Sequence, residues 1–146
     1  MTESEALLVL NAVPSLGAVR IRRLVKHFGS ALEVLRASKE DLFGSGLVAL
    51  EFAENIFNFS KDKFLASEYN LMQHKGIIAL TAADGDFPCS LKDYDDAPVV
   101  LYIKGKIDCL SNNSIAMVGS RAASFYGCKS AHAFALLFFP SSQHSL

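Results

Sequence analysis

Three kinds of feature are scarce in this chain, and each scarcity removes a class of function. Cysteine is the first. Cys89, Cys109 and Cys128 are widely spaced and odd in number, with no C-x-x-C and no Cys/His cluster. That excludes a disulfide framework and a zinc site and suits reduced thiols in a cytosolic protein. Second is charge of one sign. Fourteen Lys and Arg against fifteen Asp and Glu leave a formal net charge of −1, which argues against a wholesale polyanion binder but leaves local patches open. The third is a long apolar run. The longest without a polar break is residues 133–139. This is far short of the roughly 20 residues of a spanning helix. The start, Met1-Thr2-Glu3-Ser4-Glu5, is acidic where a signal peptide opens with a basic region. A soluble, cytoplasmic protein with no membrane partner is expected.

Apolar residues make up 51% and charged residues 20% of the 146, enough to bury a core. That length suits one domain, or a small domain with part of a second. Residues 1–73 read as short helices punctuated by turns. Apolar Ala6 to Leu10 run up to the turn Pro14-Ser15-Leu16-Gly17, and Val19, Ile21, Leu24, Val25 and Phe28 follow at a mostly helical spacing. Gly29 ends that helix, Ser30 caps the next, and Ser38 stands three residues before Asp41 in a near capping box. After Gly44-Ser45-Gly46 the pattern predicts one long helix over residues 47–73. Leu8, Leu24, Val25, Phe28, Leu32, Leu35 and Leu42 are the expected core.

The pattern changes at Lys75-Gly76. Residues 77–80, 99–103 and 114–118 are strand candidates, and the last leads through Gly119-Ser120-Arg121 into a helix over 124–139. Strand, glycine turn and helix open an α/β unit. The expected architecture is therefore α + α/β. A small helix-hairpin-helix-like domain (1–73) precedes an incomplete parallel sheet unit (74–139) and a frayed tail (140–146).

Two constellations carry chemistry. Between Gly17 and Lys39 six basic residues (Arg20, Arg22, Arg23, Lys26, Arg36, Lys39) face one acid, Glu33. The turn before them lets backbone N–H groups approach a phosphate, and the helix adds its N-terminal dipole and the auxiliary basic patch Arg20, Arg22, Arg23 and Lys26. The competing reading is a solvated face of a packed helix. Ser15 stands where such hairpins often carry glycine. The second constellation is Gly119, Ser120, Arg121, Ser124, Tyr126 and Gly127. Small residues leave room for an anion, turn and helix-start N–H groups favour phosphate, both hydroxyls can donate, and Arg121 supplies a bidentate cation. Phe125 or Tyr126 beside it could stack on a base. It is neither a G-x-G-x-x-G fingerprint nor a Walker loop, and an ordinary turn with an exposed Arg is the plain alternative.

Catalysis finds no support. His27, His74, His132 and His144 stand apart from any nucleophile, and Asp84, Asp86, Asp93, Asp95 and Asp96 lack the spacing of a calcium loop. No enzyme, no metal and no cofactor are expected.

Several segments, in order, resemble the DNA-processing protein A (DprA/Smf) family. They are residues 7–17, Lys26-His27-Phe28-Gly29-Ser30, Asp86-Phe87-Pro88 with Leu91, residues 98–105, and Val118-Gly119-Ser120-Arg121 with Ser124 and Tyr126-Gly127. The resemblance implies a sterile-alpha-motif-like domain ahead of a Rossmann-like one, and single-stranded-DNA binding through the Gly119-Ser120-Arg121 segment. It also implies protection of incoming DNA, loading of the recombinase RecA in natural transformation, and homodimers. The family's Gly-Ile-Asp segment and its recombinase and dimer surfaces have no counterpart here. The match fades from Cys128, and residues 138–146 resemble a frame-shifted or spliced tail, so a truncated version is expected. Two alternatives stand: a fragment of a Rossmann-like enzyme handling nucleotides or sugar phosphates, and a non-functional product.

Overall fold

A computed structural model describes residues 1–111 and 115–138. Its contacts divide the chain into two units, Met1–Ser111 and Asn112–Leu146.

The first unit is built around α1 (Glu3–Ala12). Thr2 starts it with a capping box: its hydroxyl accepts from Glu5 N–H at 3.2 Å, and the Glu5 carboxylate accepts from Thr2 N–H at 2.6 Å. Five consecutive buried residues, Ala6, Leu7, Leu8, Val9 and Leu10, leave α1 no solvent face along this stretch. A helix apolar all round must be central. Val13, ahead of Pro14, is extended and ends it. Ser15 then takes φ 62°, the left-handed conformation that suits glycine, which explains why the hairpin pattern puts glycine there.

Against α1 pack α2 (Ala18–Phe28) and α3 (Ala31–Arg36), and α4 (Lys39–Gly44) follows, packed on the helix after it. Gly29, with φ 92°, closes α2 by donating to Val25 O. Ser30 and Ser38 cap α3 and α4 through Glu33 N–H and Asp41 N–H, as their spacing predicts. A second cap on α3 comes from a distant part of the chain. The Glu3 carboxylate accepts from Ala31 N–H at 2.6 Å and Leu32 N–H at 3.2 Å, tying two helix starts together. Of the expected core residues, Leu8, Leu24, Leu35 and Leu42 are buried, and Val25, Phe28 and Leu32 pack partly buried against them.

The single helix expected over 47–73 is two: α5 (Leu50–Asn58) and α6 (Lys61–Lys75). The apolar phase explains the break. Ala53 and Ile56 face inward on α5, but a straight continuation of that face would bring Ser60, Lys63 and Ser67 to the core. Interrupting the helix at Phe59-Ser60 re-phases it so that Leu65 and Met72 point inward, with Phe59 edge-on to Phe64 at 5.6 Å. Gly76, at φ 60°, ends α6, and Ile77 N–H returns to Met72 O at 2.9 Å.

β1 (Ile78–Thr81) and β2 (Val100–Ile103) form a two-stranded sheet separated by the short α7 (Cys89–Lys92). The strands run antiparallel, Ile78 opposite Ile103 and Thr81 opposite Val100. The parallel sheet unit expected is corrected here. The ladder continues past the strand ends, where Ala82 N–H donates to Val99 O at 2.9 Å, and the residues between the strands form turns and the short α7 rather than the long helix of a parallel crossover. Nor do residues 115–118 form a strand, while Ser114 and the tail 140–146 lie outside the described residues. What the structure supports is an α+β chain, mostly helical.

The strands belong to the helical core. Val99 and Val100 share one buried cluster with Leu7, Ile21, Leu24 and Val34. Ser4 on α1 donates to Asp84 at 2.6 Å, across 80 residues. Residues 78–103 pack on α1 and α6, and the first unit runs to Ser111. A 3-10 turn, Ile107–Ser111, closes it.

In the second unit, residues 115–120 are irregular, a bend follows at Arg121-Ala122, and α8 spans Phe125–Phe138, close to the helix expected over 124–139.

Candidate nucleic-acid interface

The segment singled out for phosphate, residues 119–127, is exposed throughout. Ser124 caps α8, its hydroxyl accepting from Gly127 N–H at 3.1 Å. Ser120 Oγ accepts from Ala122 N–H at 3.3 Å, which shapes the bend. Both hydroxyl protons stay available to an acceptor. Gly119 has open space where a Cβ would stand and no left-handed φ, so no close approach or special conformation requires glycine there. Gly127 meets only Ser124 Oγ, at 3.5 Å. Phe125 and Tyr126 are 85% and 79% exposed.

Gly119, Ser120, Arg121, Ser124, Tyr126 and Gly127 therefore form one continuous exposed strip. The strand meant to deliver and brace the turn is absent from residues 115–118, so they do not close into a pocket. The strip still offers a guanidinium, two hydroxyls, two aromatic faces and a helix start without acidic residues. That set can meet a phosphate and stack a base.

On α2 the four basic residues separate by role. Arg20 donates to Ser15 O at 3.1 Å, with its guanidinium carbon 4.7 Å from the centre of the Phe52 ring. It clamps the strained Pro14-Ser15 turn to α5. Arg22 donates through Nε to Ala97 O at 3.2 Å and through Nη2 to Pro98 O at 3.3 Å, holding the chain ahead of β2. Arg23 and Lys26 are exposed and make no ion pair among the described residues. They face acids of the loop 93–96, a pairing that a reading along the sequence missed. Asp96 lines a groove of about 390 Å³ with Arg20 and Arg23, and Asp95 lines one of about 190 Å³ with Arg22, Arg23 and Lys26. The available signal was a net positive helix paired in one chain with the acidic run 93–96.

Asp84, grouped by sequence with the acidic loop, is a structural acid. It accepts from Thr81 N–H at 2.7 Å and Thr81 Oγ1 at 2.9 Å as well as from Ser4. Burial pushes its carboxyl up, but the bonds from Ser4 and Thr81 and the charge of Lys92 prevail and hold it below the usual range. Glu5 is likewise held low, first by the Thr2 N–H, while burial and the Glu5 charge raise the Tyr69 phenol. His74 donates from Nδ1 to Asn70 O at 3.0 Å at the end of α6, and His27 lies edge-on to Phe28. Among the described residues no group of three or more His, Cys, Asp or Glu is placed to hold a metal, and no helix is long and apolar enough to cross a membrane.

Fold and surface together define a mostly helical α+β protein with an exposed Gly-Ser-Arg strip ahead of a helix. Residues 78–140 match the family described as DNA recombination-mediator protein A. The chain is 35% identical over 98 residues to the DNA processing protein DprA of Streptococcus pneumoniae (strain ATCC BAA-255 / R6), a match covering 67% of this chain and 32% of that protein. Over this partial region the chain belongs to the DprA family. It spans about a third of the length of the curated relative it matches. No solved structure matches it.

Proposed function

We propose that this chain is a single-stranded-DNA-binding accessory protein of DNA uptake in natural transformation, working in the cytoplasm without catalysis. In the longer protein of the family, the same reading extends to a sterile-alpha-motif-like helical part, a Rossmann-like sheet, self-association, protection of incoming DNA and its transfer to the recombinase RecA. One observation carries the reading: within the matched residues 78–140, Arg121, Phe125 and Tyr126 stand exposed beside Ser120 and Ser124. Cation, hydroxyl and aromatic face in one strip suit a strand whose bases are unpaired, since a duplex hides the faces that aromatic rings stack on. Arg23 and Lys26 on α2 add an auxiliary phosphate surface.

A fluorescent oligothymidine titration at several salt concentrations tests this, with nucleoside monophosphates as competitors. We expect binding whose logarithm falls with log salt by about 0.7 per phosphate contact, and no competition from monophosphates. Salt-independent affinity would remove the electrostatic basis. Monophosphates that bind as tightly as the oligomer would point instead to an enzyme fragment handling nucleotides or sugar phosphates.

A further inference from the structure

The basic face of α2 does not stand free, because an acidic loop stands opposite it. Arg22 anchors that loop at its C-terminal end through the Ala97 and Pro98 carbonyls, and Ala97 is buried. Residues 93–96, just before the anchor, are exposed. Asp96 faces Arg20 and Arg23 across one groove, and Asp95 faces Arg22, Arg23 and Lys26 across the other. No ion pair closes either groove among the described residues. The carboxylates stand off from the cations across solvent, where their fields still cancel within a Debye length of about 10 Å at 0.1 M salt.

We infer that the loop Asp93-Tyr94-Asp95-Asp96 is an electrostatic gate on α2, a built-in polyanion mimic that a phosphate backbone must displace to reach Arg23 and Lys26. This rests on the reading of α2 as an auxiliary phosphate surface. The arrangement suits a gate better than a fixed salt bridge. The loop runs on from α7 and is held on its other side at Ala97, whose carbonyl accepts from Arg22 and whose N–H donates to Tyr94 O at 3.2 Å, while its carboxylates are left in water. Moving the loop therefore breaks no direct ion pair, and an incoming phosphate trades places with a carboxylate. The gate also screens α2 against weak or isolated anions, because only a ligand carrying several phosphates at once outcompetes a tethered pair of carboxylates.

The test compares four versions of the 146-residue chain. They are the wild type, Asp95→Asn with Asp96→Asn, the same pair combined with Arg23→Ala and Lys26→Ala, and Asp62→Asn with Asp108→Asn. The last makes the same change in net charge at exposed sites that line neither groove. Each is measured for oligothymidine affinity at low and high salt and for the salt that elutes it from heparin. Opening the gate should tighten oligothymidine binding about tenfold at low salt, shrinking towards unity as salt screens the charges, and should delay elution from heparin. The control pair should change affinity less than about twofold, and losing Arg23 and Lys26 should abolish the gain. Equal gains in the two double variants would overturn the gate, leaving only net charge. A gain that survives loss of Arg23 and Lys26 would overturn it too. Should no chain bind oligothymidine while heparin still separates them as expected, the gate stands and the single-strand reading falls. Should the wild type bind oligothymidine while neither measurement distinguishes the gate variant, the gate falls and the single-strand reading stands.

Discussion

Residues 6–10 and 133–138 are both apolar helical runs rich in alanine and leucine, and they meet opposite fates. In α1, Ala6 to Leu10 are all 5% exposed or less, enclosed by α2, α3, α6 and the two strands. In α8, Phe134, Leu136, Leu137 and Phe138 are each more than half exposed. Composition does not separate them; neighbours do. Around α1 the chain returns several times within a hundred residues, and polar contacts fasten the returns: Glu3 and Ser4 of α1 to α3 and to Asp84, and Arg22 of α2 to Ala97 ahead of β2. An apolar run becomes a core only where such returns enclose it.

The largest expected effect probes how far the enclosed region extends. A chain ending at residue 75 keeps α1 to α6 but loses Val99, Val100, Ala79 and Ala82 from the cluster, and with them the contacts of Asp84 to Ser4 and of Arg22 to Ala97. Fully burying a valine is worth about 1.5–3 kcal/mol. The two valines alone thus account for about 4 kcal/mol, close to the whole stability of a marginal domain. We expect a single cooperative melt for residues 1–111 and a broad, lowered one for 1–75. Coincident melts would support a helical domain that ends near residue 73.

Next in size is a matched pair of leucine truncations. Leu24 is 0% exposed on α2, and Leu137 is 75% exposed on α8. Leu24→Ala should cost about 3 kcal/mol in denaturant unfolding and Leu137→Ala less than about 0.5. A comparable loss at Leu137 would mean that α8 is enclosed after all.

Asp84→Ala should cost about 1–2 kcal/mol, the value of charge-assisted hydrogen bonds discounted for partial exposure. Because the folded-state carboxyl is held below its unfolded value, its contribution is complete above that unfolded value. It is lost as pH falls through the lower folded one. Wild type and variant should therefore differ fully at neutral pH and converge below about pH 4. A difference unchanged down to pH 2 would show that Asp84 acts through shape rather than charge.

These contrasts also show what was legible before the fold was seen. Helix starts at Ser30 and Ser38, the end at Gly29, and the buried leucines of α1 to α4 follow from local chemistry, and they stand where that chemistry puts them. The interruption at Phe59-Ser60 was legible in principle, since the inward phase changes there, but a window that averages over both helices hides it. Pairing direction was not legible. Residues 78–81 and 100–103 have the composition of buried strands in either orientation, and only the intervening chain decides. Charge alone describes the arginines of α2 incompletely. Two of the four act on carbonyl oxygens and a ring that lie 5 to 76 residues away in sequence. No local pattern encodes those partners. Residues 115–118 have the side chains of a strand, but a strand also needs a neighbour with free hydrogen-bonding edges.

The smallest effect is expected at Arg121, and the reason lies in the same contrast. Arg20 and Arg22 have their guanidinium groups held by carbonyl oxygens of the first unit, so removing either disturbs structure as well as charge. Arg121 is exposed in an irregular segment and makes no ion pair among the described residues, so Arg121→Ala should leave the melting curve unchanged. On DNA its effect should be modest for the same reason. An arginine that must be ordered by its ligand loses side-chain entropy on binding and gains only a screened contact, worth about 0.2–1 kcal/mol. Oligothymidine affinity should fall by about two- to fivefold at most, with the salt slope reduced by about 0.7, the signature of one lost phosphate contact. A loss of a hundredfold would mean that the strip closes into a braced pocket when DNA arrives, with Arg121 held as firmly as Arg22 is held now. No change in either affinity or slope would move the phosphate contacts away from the strip altogether and leave Arg23 and Lys26 as the surface to test.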